Sequence, residues 1–544
     1  PKLLAAISRR EEYVKLGDGS RGLLPEEWLQ KKGVILSTGV RKKNALRFRS
    51  SQALLLDALL ASEGEVSFDE TFRKIRARLG SFEGISPADP PKMFQGKLRP
   101  YQQVGLGWLH FLREFSLGGC LADDMGLGKT VQVLALLLSR QGKGRSLVVV
   151  PRSIVFNWKS EAERFTPGLR VAEYMGIGRR LEEADVVLTT YGTVRRDAHL
   201  LKDVRFDYVI LDEAQAIKNG GSATAKAVRL LKAEHRLAMS GTPIENHLGE
   251  LWSLMEFLNP GLLGTAGFFR KFTVGEVDVE MRSTLARGLR PFLLRRTKGQ
   301  VAKELPPKIE QTVHVELDKV ERKRYDELRT HYRKTLLAEN GTDFSKRKFN
   351  VLEGLLRLRQ AACHPGLIDE ERRGESSSKL EALLEQVQEV IAEGHKALVF
   401  SQFPSLLSIV RERLDDMGIP YAYLDGRTRK REACVKRFQE DPDVPLFLIS
   451  LKAGGLGLNL TAAEYVFLLD PWWNPAVEAQ AIDRTHRIGQ KRRVIANRLV
   501  ARDTVEEKVL ELQKSKRALA DAILQEDQSF LRALTKEDLA LLLS

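Results

Sequence analysis

The segment that most constrains this chain is Leu121–Thr130, LADDMGLGKT, which lies between an apolar stretch and a helical one. Gly126 and Gly128 have no Cβ atom, so the backbone can curl and direct its N–H groups at phosphate oxygens. Lys129 adds a positive charge for the β- and γ-phosphates, and Thr130 offers a hydroxyl group to Mg²⁺. The segment therefore predicts a phosphate-binding loop that leads into a helix.

A second segment, Leu211–Gln215 with the sequence LDEAQ, supports this prediction. It follows the apolar stretch Tyr208–Leu211, so we expect Asp212 at the carboxyl end of a parallel strand, where nucleotide sites lie in open α/β sheets. Asp212 can then hold Mg²⁺, and Glu213 can orient or deprotonate the attacking water. The usual phosphate-loop pattern has Gly where this chain has Asp123. The two segments together nevertheless predict hydrolysis of a nucleoside triphosphate.

Composition narrows the class further. The length of 544 residues predicts two to four domains. The net charge of +15 indicates a polyanionic partner, most commonly nucleic acid, and a merely solvated basic surface is the alternative. No apolar run is long enough to span a membrane, and the three cysteines are too scattered for a metal site or a disulfide framework. Because the chain begins at Pro1, we expect it to be a fragment of a longer protein.

Strands alternate with helices in two successive series, which predicts an α/β fold with two RecA-like parallel-sheet lobes. A small N-terminal α+β segment precedes them, and residues 245–346 are mainly helical in pattern. Pro306–Pro307 marks the link between the halves. The predicted regions are an N-terminal accessory segment (1–90), a first lobe with a helical protrusion (91–300), a linker with a second protrusion (301–375), a second lobe (376–502) and a C-terminal helical brace (503–544).

Two further groups of residues complete the predicted nucleotide site. Gln102 presents a donor and an acceptor together, which suits the adenine edge. In the second series, Gln480, Arg484 and Arg487 have the spacing of one helix face, from which they can reach the γ-phosphate. An exposed helix with ion pairs four residues apart is the alternative. For His486 we expect a structural hydrogen bond.

With these residues in place, the chain resembles the Snf2 family of superfamily 2 helicase-like ATPases, in its bacterial form, from about residue 98 to 501. The first-lobe motifs are LRPYQ (98–102), DDMGLGKT (123–130), DEAQ (212–215) and SGTPIEN (240–246). The later motifs are LLRRTK (293–298), VFSQF (399–403), DGRT (425–428), SLKAGGLGLNLTAA (450–463) and DPWWNPAVEAQAIDRTHRIGQ (470–490). Asp124 stands where Glu is usual, and DEAQ replaces the more familiar DEAH.

The resemblance implies that ATP and Mg²⁺ drive translocation along double-stranded DNA without strand separation, and that DNA-bound proteins are remodelled. It also implies helical protrusions on both lobes. The implied DNA contacts are Lys159, Thr190 and Tyr191 in the first lobe and Ser401, Gln402, Lys452, Gly454 and Trp473 in the second. Trp473 has a place in the core as its alternative. We further expect a cytoplasmic, nucleoid-associated monomer.

Other functions stay open at this point. A nucleotide-gated scaffold on RNA polymerase or another assembly would use hydrolysis only as a switch. A strand-separating helicase is disfavoured, because no pin-like insertion is recognised in the sequence. Stimulation of ATP hydrolysis by naked duplex DNA would separate a translocase from a scaffold.

Overall fold

The structure is a computed structural model that describes residues 13–15, 20–23, 39–42, 45–60, 69–70, 72–74, 85–241, 248–266, 269, 287–338, 344–451, 458–473 and 475–511. The chain divides into two compact units, one formed mainly by residues up to Thr297 and the other mainly by residues from Lys298 onward. We call them lobe 1 and lobe 2. The five predicted regions stay predictions, and most of the predicted brace (512–544) lies outside the described residues.

The N-terminal segment belongs to lobe 1 and combines two antiparallel hairpins with a helix, as predicted. Arg49 and Gln52 attach it to the rest of the lobe: Gln52 Nε2 donates to the carbonyl oxygen of Gly261 over 2.9 Å, and Arg49 Nη1 donates to that of Pro260 over 2.5 Å. The elements are β1 (Tyr13–Lys15), β2 (Arg21–Leu23), β3 (Val40–Lys42), β4 (Ala45–Arg47) and α1 (Ala53–Leu60).

Lobe 1 is built on a parallel sheet of seven strands. Ser146–Val150 is buried along its length, and so are residues 206–211 of the neighbouring strand, as expected for a sheet covered on both faces. The strands are β5 (Gly119–Leu121), β6 (Ser146–Val150), β7 (Val171–Tyr174), β8 (Val186–Thr190), β9 (Arg205–Leu211), β10 (Lys232–Met239) and β11 (Leu293–Leu294). Their order is β11-β5-β10-β9-β6-β8-β7.

The helices of lobe 1 cover this sheet. The first of them has Pro at its N-terminus, where a missing N–H costs nothing. They are α2 (Pro100–Glu114), α3 (Lys129–Leu138), α4 (Val155–Phe165), α5 (Tyr191–Arg196), α6 (Ala198–Leu201), α7 (Ala223–Leu230) and α8 (Leu248–Leu258). Short 3₁₀ turns elsewhere in the chain occupy Ser50–Gln52, Arg152–Ile154, Ala214–Ile217, Arg290–Phe292, Pro365–Leu367 and Glu370–Arg372.

Lobe 2 has its own parallel sheet of six strands. The strands are β12 (Lys308–Val315), β13 (Ala397–Ser401), β14 (Tyr421–Leu424), β15 (Leu446–Ser450), β16 (Tyr465–Leu468) and β17 (Val494–Ala501). Their order in the sheet is β12-β17-β16-β13-β15-β14. The first and last of these strands pair side by side, from Lys308 opposite Val494 to Val315 opposite Ala501.

Lobe 2 contains two helices of twenty residues each, α10 (Lys319–Ala338) and α11 (Phe344–Cys363). Tyr325 and Leu358 from this pair share an apolar cluster with Val505 and Val509 of helical residues 505–511. The helices are α9 (Lys298–Val301), α10 (Lys319–Ala338), α11 (Phe344–Cys363), α12 (Ser378–Ala392), α13 (Pro404–Asp416), α14 (Arg431–Glu440) and α15 (Pro475–Ile482).

The fold class is confirmed. Residues 245–346 were predicted to be mainly helical; α8 and α10 lie in this range, and so do the strands β11 and β12. β12 reads KIEQTVHV, and most of its side chains stay in contact with solvent. Its strand conformation therefore comes from pairing with β17 and not from an apolar pattern. Across the described residues, no helix combines the length and apolarity that crossing a membrane requires.

Candidate nucleotide site and nucleic-acid interface

The glycine-rich loop has the curvature that phosphate binding requires. Gly126 (φ 87°) and Gly128 (φ 75°) both adopt the left-handed conformation that favours glycine. Gly128 is the N-cap of α3, so the first N–H groups of that helix follow directly. The ammonium group of Lys129 donates to the carbonyl oxygen of Asp123 over 2.6 Å. The loop is thus closed on itself by its own lysine.

Gln102 lies beside this loop. A Cβ atom on Gly128 would stand 2.5 Å from Gln102 Nε2, which is closer than Cβ atoms lie to other heavy atoms in proteins. The Gln102 side chain therefore packs directly against the loop backbone. Its Oε1 accepts a hydrogen bond from the N–H of Arg99 over 2.9 Å and caps the start of α2. The structure therefore brings Gln102 to the loop, and the oxygen predicted to read adenine also positions the helix.

Asp123 is an anchor that sequence reasoning missed. Its carboxylate is fully buried and accepts two hydrogen bonds from Arg296, Nε to Oδ1 over 2.9 Å and Nη2 to Oδ2 over 2.5 Å. Arg296 also donates to Gln132 Oε1 over 3.0 Å and to the carbonyl oxygen of Tyr101. A bidentate Arg–carboxylate pair fixes geometry. The aspartate at the usual glycine position therefore ties the loop to motif LLRRTK and to α2.

The Asp-Glu pair stands at the carboxyl end of β9, as predicted. Trp158 Nε1 donates to Asp212 Oδ2 and the N–H of Glu213 to Oδ1, each over 2.8 Å. The hydroxyl of Tyr191 donates to the carbonyl oxygen of Asp212 over 2.6 Å. Burial, reinforced by the negative charge of Glu213, raises the pKa of Asp212 to about 6, against the opposing effects of Trp158 and Lys129.

Glu213 has an unusual backbone. Its φ of 49° is in the left-handed region, which is rare for a residue with a Cβ atom and marks a functional position more often than chance. Gln215 Nε2 donates to Glu213 Oε2 over 2.7 Å, and the hydroxyl of Ser240 lies 3.4 Å from Gln215 Oε1. The glutamine of DEAQ therefore holds the carboxylate and joins it to the end of β10.

These groups fit a magnesium ion by their chemistry. Thr130 lies in the first turn of α3. The carboxylate of Asp212 is buried, and its raised pKa means that its ionised form would be stabilised by a nearby cation. Hydroxyl and carboxylate oxygens are the ligands that Mg²⁺ prefers, alongside phosphate and water. When bound with a triphosphate, the ion neutralises charge on the β- and γ-phosphates.

In lobe 2, the predicted single helix face is wrong. Helix α15 ends at Ile482 and residues 483–489 form turns, so Gln480 is helical whereas Arg484 and Arg487 are not. The hydroxyl of Thr485 donates to the carbonyl oxygen of Ile482 over 2.7 Å and satisfies the helix end. Arg484 is buried and Arg487 is half-exposed. Their spacing fits a helix, but after Ile482 the backbone forms tighter turns, in which the N–H of Thr485 donates to the carbonyl oxygen of Ile482 over 3.1 Å.

This arginine-bearing turn is held by a lysine of motif LLRRTK. Lys298 Nζ donates to Asp483 Oδ1 over 2.8 Å and to the carbonyl oxygen of His486 over 2.6 Å. The ring of His486 bonds to the carbonyl oxygen of Pro306 over 2.8 Å, which is the structural role expected for it. Gln490 Nε2 donates to the carbonyl oxygen of Ala463 over 2.9 Å. The turn is therefore fixed within its own lobe.

The implied DNA contacts of lobe 1 are close to the Asp-Glu pair. Lys159 is exposed on α4, where its ammonium group pairs with Glu173 over 2.9 Å. The hydroxyl of Thr190 accepts from the N–H of Thr193 over 3.2 Å and caps α5. Tyr191 is half-buried. Lys159 is next in sequence to Trp158, and Thr190 to Tyr191, so each lies one residue from a donor to Asp212.

Two implied contacts of lobe 2 are structural residues instead. Ser401 is fully buried, and its hydroxyl donates to Asp470 Oδ1 over 2.5 Å. Trp473 is 9% exposed and packs with Tyr325 and Leu358, which is the core alternative. Both residues are therefore left out of the proposed DNA contacts. Apolar packing and a buried carboxylate partner explain both positions.

The remaining implied contacts divide into one described and two undescribed positions. Gln402 is half-exposed, and its backbone N–H donates to Asp470 Oδ1 over 3.2 Å. Lys452 and Gly454 lie outside the described residues, as do residues 242–246 of motif SGTPIEN. Gln402 is thus the described implied contact of lobe 2 that reaches the surface, although its amide nitrogen Nε2 is buried.

Chemistry at the carboxyl end of one parallel sheet, joined to a second parallel-sheet lobe, gives this chain the architecture of a helicase-like nucleoside triphosphatase. The SNF2-related domain family matches residues 101–367, and the helicase conserved C-terminal domain family matches residues 378–489. The chain belongs to the Snf2 family of superfamily 2 helicase-like ATPases. This membership confirms the family and the enzyme class predicted from the motifs.

Individual relatives agree with this assignment. The chain is 38% identical over 508 residues to YwqA of Bacillus subtilis, described as a candidate ATP-dependent helicase/translocase, covering 89% of this chain and 55% of that protein. It is 40% identical over 459 residues to an uncharacterized ATP-dependent helicase of Mycoplasma pneumoniae, covering 81% and 44%. The solved Sulfolobus solfataricus SWI2/SNF2 ATPase core in complex with dsDNA is 36% identical, with a TM-score of 0.42, covering 85% of this chain and 99% of that one. The chain spans about half the length of the curated relatives it matches.

Proposed function

We propose that this chain is a DNA-dependent ATPase that translocates along double-stranded DNA without separating the strands and so remodels protein–DNA complexes. The observation that carries the proposal is the arrangement at the end of β9. There Asp212 is buried and held by two side-chain donors, while Glu213 is held by Gln215. Lys129 acts electrostatically on the same aspartate. This interaction supports a single site that contains both the loop lysine and the acidic pair Asp212 and Glu213.

In the proposed reaction, Lys129 and the loop N–H groups bind the phosphates, and Thr130 and Asp212 would hold Mg²⁺. Glu213 orients the attacking water and accepts its proton, because its carboxylate is fixed by Gln215. Arginine donors suit the charge that develops on the γ-phosphate. We propose that lobe 2 supplies them, together with an amide, from Gln480, Arg484 and Arg487.

Duplex DNA is the proposed partner because of charge and contact chemistry. The net charge of +15 favours a polyanion. Lys159 is a partly exposed, charged side chain of the kind that binds phosphates without reading bases. Sequence-independent contacts suit a motor that moves along its track. The descriptions of the Bacillus and Mycoplasma relatives as helicases support a nucleic-acid substrate.

The test is the ATPase rate of the chain without nucleic acid and with duplex DNA, single-stranded DNA or RNA. We expect duplex DNA to give the largest stimulation. Glu213→Gln should lose turnover while it retains ATP and DNA binding, because the amide cannot accept the proton. Glu234→Gln, which removes an exposed carboxylate of the same lobe, is the matched control. Equal rates with and without duplex DNA would favour the nucleotide-gated scaffold instead.

A further inference from the structure

Trp158 and Tyr191, the two side chains that donate to Asp212, each have a sequence neighbour on the proposed DNA surface. The hydrolysis reaction alone does not explain this arrangement. Trp158 precedes Lys159, and Tyr191 follows Thr190; Lys159 and Thr190 are both positions at which we propose DNA contact. Trp158 holds the carboxylate, and Tyr191 holds the carbonyl oxygen. Two separate elements, α4 and the β8–α5 junction, therefore join the proposed DNA surface to the same aspartate.

We propose that Trp158 and Tyr191 are positioning residues that transmit phosphate-backbone contact on lobe 1 to Asp212 and Glu213. The inference rests on the proposed DNA-dependent ATPase activity and adds the route by which DNA changes the rate. Phosphate contact at Lys159 and Thr190 sets the positions of α4 and α5, and the two donors pass those positions to the acidic pair.

The Trp158 arm acts on the carboxylate. The indole ring is 2% exposed, so its N–H group is shielded from water and its 2.8 Å bond to Asp212 Oδ2 fixes the helix against the strand end. On the outer side, Lys159 has 43% of its side chain exposed, and its partner Glu173 is similarly exposed. An exposed ion pair contributes little, so a DNA phosphate can take over the lysine. One helix thus connects an exchangeable surface contact to a buried one.

The Tyr191 arm acts on the peptide that joins Asp212 to Glu213. Its hydroxyl bonds to the carbonyl oxygen of that peptide, and the N–H of the same peptide donates to Asp212 Oδ1. The residue that follows, Glu213, has the left-handed φ of 49°. Orientation of this peptide determines where the Glu213 side chain begins. Tyr191 therefore controls the proposed base, while Trp158 controls the proposed magnesium ligand.

The two arms predict that DNA acts on turnover more than on ATP affinity, because both donors bond to Asp212. Trp158→Phe and Tyr191→Phe each remove one hydrogen-bond donor and keep an aromatic ring. We expect each to lower the duplex-stimulated kcat, relative to the unstimulated kcat, by about five- to tenfold. The KM for ATP should stay within about twofold of wild type in both variants, and so should the affinity of Trp158→Phe for labelled duplex.

Matched controls are available away from the two arms. Trp108 of lobe 1 is 1% exposed, and its Nε1 donates to the carbonyl oxygen of Pro291 over 2.9 Å. In lobe 2, the hydroxyl of Tyr421 donates to Asp415 Oδ1 over 2.9 Å. Trp108→Phe and Tyr421→Phe lose the same kinds of hydrogen bond away from Asp212. Both should keep the wild-type ratio of stimulated to unstimulated rate.

Two readouts separate coupling from simple damage. Lys159→Ala should reduce stimulation in the wild-type background and have little further effect in Trp158→Phe, since both changes interrupt one route. Addition of duplex DNA should also change the tryptophan fluorescence of wild type and Trp108→Phe, and this change should be lost in Trp158→Phe. The fluorescence measurement does not depend on turnover.

The outcomes distinguish the two proposals. A wild-type chain without duplex stimulation overturns the proposed function. A stimulated wild type, with full stimulation and an unchanged fluorescence response in Trp158→Phe and full stimulation in Tyr191→Phe, overturns the coupling. Tyr191→Phe removes a single hydroxyl group, so it decides the question by its stimulation ratio if Trp158→Phe fails to fold.

Discussion

At the scale of single residues, Asp212 is where burial and function oppose each other. Its carboxylate is enclosed at the end of β9, and its pKa is raised to about 6 by burial and by the neighbouring charge of Glu213. A raised carboxylate pKa means that the folded chain disfavours the ionised form. In the proposed mechanism, the ionised form is the one that would hold Mg²⁺. At neutral pH the buried charge of Asp212 therefore destabilises the nucleotide-free chain.

Asp212→Asn should stabilise the nucleotide-free chain at pH 7.5 by roughly 3 kcal/mol and abolish ATP hydrolysis. The folded pKa of Asp212 lies above the ordinary value of 3.8. The favourable contribution of this group is thus fully present below about pH 4 and is lost as the pH rises through about 6. Thermal denaturation of wild type and variant should differ most at pH 7.5, and the difference should shrink towards pH 4.

Asp197→Asn is the matched control for this prediction. The hydrogen bond from Arg179 lowers the pKa of Asp197, so its contribution is present above the ordinary pKa and is lost as the pH falls. This variant should be less stable than wild type at pH 7.5. If Asp212→Asn were less stable than wild type at pH 7.5, the buried carboxylate would not be a source of instability in the folded chain.

At the scale of elements, the turn after α15 positions the proposed arginine donors. Lys298→Met removes the ammonium group that holds Asp483 and the carbonyl oxygen of His486. A displacement of about 1 Å at a reacting centre can reduce turnover on the order of 10²-fold, and we expect a reduction of that size in kcat. The KM for ATP should change little, since Lys129 and Thr130 belong to lobe 1. Steady-state kinetics at saturating DNA measures both.

Lys308→Met provides the comparison for Lys298→Met. Lys308 pairs with Glu310 over 2.7 Å on β12, so this variant also loses a lysine ion pair of lobe 2. Its kcat should match wild type. Wild-type turnover in Lys298→Met would mean that the turn keeps its geometry without the lysine, and would remove this role from motif LLRRTK.

The elements also show what could be predicted from the sequence. Strands β6 and β15 are buried, mainly apolar runs, and β9 ends in one at residues 208–211; such runs are recognisable without any partner. The edge strands β7 and β12 carry polar side chains and are strands because a neighbour pairs with them. The end of α15 was missed because no sequence signal marks the change to tighter backbone turns after Ile482.

The same distinction applies within the site. The glycine loop and the Asp-Glu pair are contiguous in sequence, so their chemistry is readable from a few letters. Their supports are not contiguous: Trp158 is 54 residues from Asp212, and Arg296 is 173 residues from Asp123. Burial of Trp158 and Arg296 against these carboxylates follows from sheet order. Sequence spacing alone carries no signal for it.

At the scale of the whole molecule, charge determines how DNA binding responds to salt. With a net charge of +15, affinity for duplex should fall steeply as salt rises, with a slope of about −0.9 in log K against log salt for each phosphate neutralised. Lys159→Ala should reduce the magnitude of this slope by about 1. Fluorescence anisotropy with labelled duplex between about 50 and 200 mM salt measures it.

Lys232→Ala, which removes an exposed lysine paired with Asp203, is the control for Lys159 and should leave the slope unchanged. Two duplexes of unrelated sequence should bind equally. A flat salt response, or strong preference for one duplex, would contradict binding through phosphates.

The pairing of β12 with β17 has a consequence for how the chain folds as it leaves the ribosome. β12 is the first strand of lobe 2, yet its partner β17 is the last strand among the described residues, with Val494 opposite Lys308 and 186 residues later. Lobe 1 has its final strand by Leu294 and can fold early, whereas the second sheet can close this ladder only once residue 501 has emerged. Long-range parallel pairing of this kind is slow. Lobe 2 is therefore the late-folding half, and the polar side chains Lys308, Glu310 and Gln311 protect β12 from pairing with other chains in the interval.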